Sequence, residues 1–106
     1  MEVLQGKYLK PAKDRNSFEI FNAEPEILLK IAFFLREYGF VSRPMIVGFD
    51  GNYLDLEQDN IKLHLGWDVW SGLFLSAIDE EGDIWVEKLG EEINIKLKES
   101  YFGVLR

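Results

Sequence analysis

The chain has 106 residues, a formal net charge of −7 and no cysteine. One modest core fits that length, because roughly 60–70% of the surface of an unfolded chain this size is buried on folding. A disulfide framework, a thiolate zinc site and a cysteine nucleophile are excluded, and the acidic balance makes nucleic acid and anionic membrane poor partners for the surface as a whole.

Residues 1–16 carry Lys7, Lys10, Lys13 and Arg15 around Pro11 and read as a loop or short edge element. Ser17 to Phe21 reads as a short strand. The next element is a helix, expected over about 23–38. Asn22 is placed to cap it, Glu24 and Glu26 suit the positive end of its dipole, and Pro25 falls in the first turn, where a missing N–H does no harm. Ile27, Ile31, Phe34, Leu35 and Tyr38 recur at three- and four-residue spacing. Gly39 is placed to stop the helix in a left-handed cap, with Phe40 folding back onto the last turn.

Strands follow. Pro44 to Phe49 is β-branched and apolar, and Asp50-Gly51-Asn52 holds the dipeptides of a tight hairpin turn at 50–51 or 51–52. Either turn puts Met45, Val47 and Phe49 on the same side of the sheet as Leu54 and Leu56. After Gln58-Asp59-Asn60 the alternation resumes with Ile61, Leu63, Leu65 and Trp67, while Lys62 and His64 point the other way. Gly72 to Ile78 gives a fourth strand whose mixed pattern suits cover on both faces. Asp83 can cap a helix starting at Ile84, with Gly90 as its weak point. Residues 93–98 fit a helix or a strand, because Ile93, Ile95 and Leu97 also alternate. The tail, Tyr101 to Leu105, suits a further short strand. The expected fold is a single α+β domain over 1–106: an antiparallel meander of about four strands with one or two helices packed on one face.

The charge is unevenly spread. Residues 50–92 hold twelve acids and two bases, a net of −10, so less than half the chain carries all of the excess negative charge. Such a surface can serve solubility alone, or it can steer a basic partner toward the protein.

Few residues carry the marks of chemistry. Counted as a calcium loop from Asp50, the sixth position is Asp55 instead of glycine and the twelfth is Ile61 instead of glutamate, so no metal is expected. His64 is the only histidine; Asp55 or Glu57 can lie across the strand pair from it, but an ordinary sheet-surface histidine explains it as well. No phosphate-binding glycine loop and no serine elbow is present. No catalytic residue, cofactor or enzymatic activity is expected.

The most distinctive stretch is Gly66-Trp67-Asp68-Val69-Trp70-Ser71-Gly72, where two of the three tryptophans flank an aspartate between strands. Either these rings close the core edge or they are presented as anchors, since tryptophan is enriched in interface hot spots. The candidate partner-binding set is Trp67, Asp68 and Trp70, with Asp79, Glu80, Glu81 and Asp83 in the polar turn and Asp55, Glu57 and Asp59 on the hairpin.

The segment Asn60 to Asp83, NIKLHLGWDVWSGLFLSAIDEEGD, together with the helix before it, resembles small bacterial immunity proteins. These are the cognate inhibitors of polymorphic toxins, including those of contact-dependent growth inhibition. The resemblance covers about two-thirds of the chain and rests on no invariant motif. It implies a cytoplasmic protein that binds one toxin domain, often a nuclease and here a ribonuclease by preference, and occludes its active site. The partner would be a basic protein; no nucleic acid and no membrane is expected, and the protein would be a monomer or weak dimer. Alternatives are another acidic interaction module, such as a phage inhibitor, an antitoxin or an adaptor, and a small-molecule binder or small enzyme. The last would need a concave pocket near His64.

Overall fold

A computed structural model describes residues 6–9 and 15–99. The order of elements is β1 (Lys7–Leu9), β2 (Ser17–Ile20), α1 (Ile27–Leu35), β3 (Val41–Ser42), β4 (Ile46–Val47), β5 (Gly51–Gln58), β6 (Ile61–Asp68), β7 (Gly72–Ala77) and α2 (Glu80–Lys98). The strands form one antiparallel sheet in the order β1-β2-β7-β6-β5-β3, six strands wide, with β4 pairing the same edge of β5 as β3 does. The class is therefore α+β, as expected, with a wider sheet. The two extra positions come from β1 and β2 beside β7, while β3 shares the edge of β5 with β4. The expected tail strand over 101–105 lies outside the described residues, as do residues 1–5 and 10–14 of the basic N-terminal stretch.

Cross-strand partners share a face, so register sorts the side chains. Phe18, Leu75, Leu65 and Leu54 form one row across β2, β7, β6 and β5. The flanking rows add Ile20, Leu73 and Trp67 on one side and Ala77, Leu63 and Leu56 on the other. Both helices pack on this face. α1 contributes Ile27, Leu28, Ile31, Phe34 and Leu35, and α2 contributes Val86, Leu89, Ile93 and Leu97, all buried. Burying one such aliphatic side chain is worth about 1.5–3 kcal/mol, so this layer supplies the fold's main driving force. Among the described residues, no helix packs on the opposite face of the sheet. Phe74 and Ser76 on β7 are only half-buried, which corrects the expectation of a strand covered on both sides.

α1 is shorter than its periodicity suggested. It begins at Ile27 without a side-chain cap from Asn22, and its C-terminal turn, Arg36–Tyr38, tightens to a 3-10 helix. Gly39 ends it at φ 92°, and the Phe40 N–H reaches back to the Leu35 carbonyl at 3.4 Å. Phe40 is then fully buried, edge-on to Trp85 of α2 at 5.1 Å between ring centres.

α2 starts a turn earlier than expected, because Asp79 and not Asp83 caps it. The Asp79 carboxylate accepts from the Gly82 N–H at 2.8 Å. Gly82 is buried there, and a Cβ on it would lie 3.2 Å from both Ala77 and Leu63, so the small residue lets the helix start close on the sheet. Residues 93–98 are helical. The rows Leu89, Ile93 and Leu97 are buried, whereas Ile95 is exposed on the solvent side.

The β4–β5 turn is also displaced. The Gly48 N–H donates to the Gly51 carbonyl at 2.8 Å, so Phe49 and Asp50 occupy the tip, not Asp50-Gly51 or Gly51-Asn52. Val47 shares a face with Leu54, as expected, but it lies beyond the helices and stays exposed.

Candidate functional site

The candidate tryptophans and acids fall in three separate places. The first is the end of the sheet where β6 turns into β7. Trp67 belongs to the helix-covered face: its ring packs against the core and its indole N–H donates to the Ala23 carbonyl at 2.8 Å. Trp70 sits at the tip of the turn and is 70% exposed. Asp68 builds that tip. One carboxylate oxygen accepts from the N–H of Trp70 at 3.0 Å and of Ser71 at 2.6 Å, an Asx turn that presents the intervening residues.

The second place is the opposite end. Asp59 takes the left-handed position of the β5–β6 turn at φ 52°, a conformation aspartate tolerates. Asp79 caps α2, and Glu80 and Glu81 are exposed in its first turn. Asp83 clamps the chain ahead of β2: it accepts from the Asn16 N–H at 2.7 Å and from Arg15 at 2.8 Å, and its carbonyl accepts from the Asn16 side chain at 3.0 Å. β7 separates this end from Trp70. Its six residues span about 20 Å at the usual rise, so one compact surface does not hold both groups.

The third place is the open face. Asp55 and His64 are cross-strand partners and bond at 2.7 Å, so register selects Asp55 over Glu57 from the two acids the sequence allowed. Glu57 lies one row on, 3.5 Å from Arg43. Register continues the Asp55–His64 row through Ser76 to Ser17, but the two serine hydroxyls bond each other at 2.9 Å. Among the described residues, no group of three or more histidine and acidic side chains gathers as a metal ion would require. No helix among the described residues is long and apolar enough to cross a membrane.

The first place holds more than the candidates named from sequence. Gly72 is so close to the Ile20 and Phe21 carbonyls that it has no room for a Cβ, which sets Phe21 beside the β6–β7 turn. The Val69 N–H donates to the Asp50 carbonyl at 3.1 Å, which sets the Phe49–Asp50 tip on the other side. Phe21, Phe49, Val69 and Trp70 therefore line one end of four adjacent strands, and each is more than 60% exposed. Asp50 and Asp68 lie among them. The signal for Phe49 was available: glycines on both sides, in Gly48-Phe49-Asp50-Gly51, favour a tip over a strand end.

A shallow cleft of about 380 Å³ opens on the bare face, lined by Ile46, Tyr53, Asp55, His64 and Phe74. Register places Tyr53, Gly66 and Phe74 in one row, and the two rings meet over the glycine with centres 6.1 Å apart. A Cβ on Gly66 would lie 2.6 Å from Phe74 and 2.9 Å from Tyr53. The Tyr53 hydroxyl donates to Asp50 at 3.3 Å. Desolvation, then the charges of Asp50 and Asp68, raise its phenol above the ordinary tyrosine value. The alternation on β6 marked the bare face, but nothing local in the sequence marked Gly66 as the floor of a cleft.

Comparison with protein-family models, curated proteins and solved structures finds no match.

Proposed function

We propose that this protein is an inhibitory binding protein of the immunity type, which neutralises a basic toxin domain, a ribonuclease by preference, by covering its active site. The observation that carries the reading is the apolar end formed by Phe21, Phe49, Val69 and Trp70. The core is complete without these side chains, and clustered exposed aromatics on a small domain mark an interaction surface. Asp50 and Asp68 sit in the same end, so charge and apolar contact are offered together.

The mechanism is steric and electrostatic. A nuclease site holds phosphates with lysine and arginine, and carboxylates compete for those groups through charge-assisted hydrogen bonds. Trp70 and Phe49 supply buried contact area and set the dissociation rate, while the acidic field speeds encounter. Division of labour follows from placement. Asp50 and Asp68 flank the anchors; Glu80 and Glu81, at the far end, act only through the long-range field.

The test is co-expression with the product of the gene directly upstream of the one encoding this chain, the arrangement expected of a toxin and its immunity protein. Growth rescue together with a salt-sensitive complex of the two purified proteins supports the reading. Absence of both, with the protein folded, refutes it.

A further inference from the structure

We infer that the cleft on the bare sheet face is a slot for a guanidinium group, an arginine side chain of the basic partner. The inference rests on the proposed inhibitory function for the identity of the partner, but not for the chemistry of the slot. Tyr53 and Phe74 present aromatic surface across Gly66, and Ile46 walls the edge side. A planar cation stacks on such rings, whose faces are electron-rich. Asp55 adds a carboxylate: one oxygen bonds His64, and among the described residues the other has no hydrogen-bond partner. Asp55 is half-exposed, so that oxygen is available to a cation entering from solvent.

Charge around the cleft is complementary to such an occupant. Asp50 holds the Tyr53 hydroxyl, Asp68 lies one row away, and Glu19 is the register partner of Phe74. Among the described residues, Arg43 and Lys62 share Glu57 as their acidic neighbour and Lys7 lies opposite Glu19, which leaves Asp50, Asp55 and Asp68 as the acidic excess beside the cleft. The cleft therefore offers aromatic faces in a negative field. An apolar side chain would use only the first of these features.

The test is a nitrogen-15 NMR titration of the full chain with Nα-acetyl-arginine amide, and in parallel with the citrulline analogue, which has the same shape without the charge. The expected result is saturable shifts at Tyr53, Asp55, Gly66 and Phe74 with the arginine probe only. Asp55→Asn, a surface change, should weaken them about threefold. Gly66→Ala, whose methyl group displaces both rings, should remove them while the spectrum stays dispersed. Equal shifts with citrulline, shifts elsewhere or no saturation would overturn the slot. Shifts at these residues on dilution of the protein alone would assign the cleft to a second copy and overturn it as well. The titration needs no toxin, so failure of the slot leaves the inhibitory function standing, and failure of that function leaves a saturable slot intact.

Discussion

Asp83→Ala separates a structural acid from a recognition acid. In the folded protein the Asp83 carboxylate accepts a backbone N–H at 2.7 Å and an arginine at 2.8 Å, with the pair about a quarter exposed. Losing the charge-assisted bond to the Asn16 N–H costs about 1.5 kcal/mol. The ion pair with Arg15, discounted for its exposure, adds about 0.5 kcal/mol. The total of about 2 kcal/mol corresponds to a fall in Tm of roughly 8–16 °C for a domain of this size. Asp83→Asn keeps an acceptor for Asn16 and should lose less than half as much. Differential scanning calorimetry of the two variants beside wild type is the assay. If Asp83→Ala melts within about 2 °C of wild type, the clamp is not holding β2 to α2, and Asp83 returns to the set of acids free to meet a partner.

Other outcomes follow from the same contacts. Asp79→Ala should cost about 1 kcal/mol by chemical denaturation, the usual worth of a helix cap, with the loss seen first as fraying of α2 in hydrogen exchange. Gly72→Ala should fail to fold or lose most of its stability, because φ is 72° and the Ile20 and Phe21 carbonyls occupy the space; a soluble, cooperative variant would show that β2 and β7 meet differently. Burial, opposed by the Ser17 hydroxyl and assisted by Asp68, raises the Glu19 carboxyl above the ordinary 4.5. A raised carboxylate costs stability when ionised, so stability should increase as pH falls through its folded value. Glu19→Gln should therefore raise Tm at pH 7 and give no gain below pH 4.5; a gain that persists at low pH would point to packing instead. Reversal of Glu80 and Glu81 to lysine should slow association with a partner without changing dissociation, measured by stopped flow across a salt series.

The legible parts of the fold were those where one residue had one job. Gly39 stops α1 because only a residue tolerant of positive φ fits there, and the sequence leaves no competitor. The alternation from Ile61 to Trp67 places His64 and Lys62 on the face away from the core, with Asp55 or Glu57 across from His64; the register selects Asp55. What was hidden depended on contacts between distant residues. Asp79 and Asp83 are equally good caps locally; the clamp to Asn16 takes Asp83 and leaves the cap to Asp79. Ile93 to Lys98 alternates by accident of Ile95, a solvent-side residue of a long helix. Trp67 and Trp70 look alike in sequence, and only the three-residue offset across a turn puts one ring on the Ala23 carbonyl and the other in solvent. Phe49 reads as a core-face strand residue because Asp50-Gly51 and Gly51-Asn52 both look like the turn, one and two residues beyond the actual tip. The candidate set also mixed both ends of the sheet, since Asp68 and Glu80 are near in sequence but separated by the length of β7.

The central claim is that the exposed aromatic end is a binding surface and no part of the core. Its most direct test is the dissociation rate of Trp70→Ala from the product of the adjacent upstream gene, measured by biolayer interferometry on a sample whose thermal unfolding is recorded in parallel. The ring is 70% exposed, so its removal should leave Tm unchanged, while loss of an anchor worth about 2 kcal/mol should speed dissociation about thirtyfold. An unchanged dissociation rate, or a fall in Tm with affinity intact in the surviving folded protein, would contradict it.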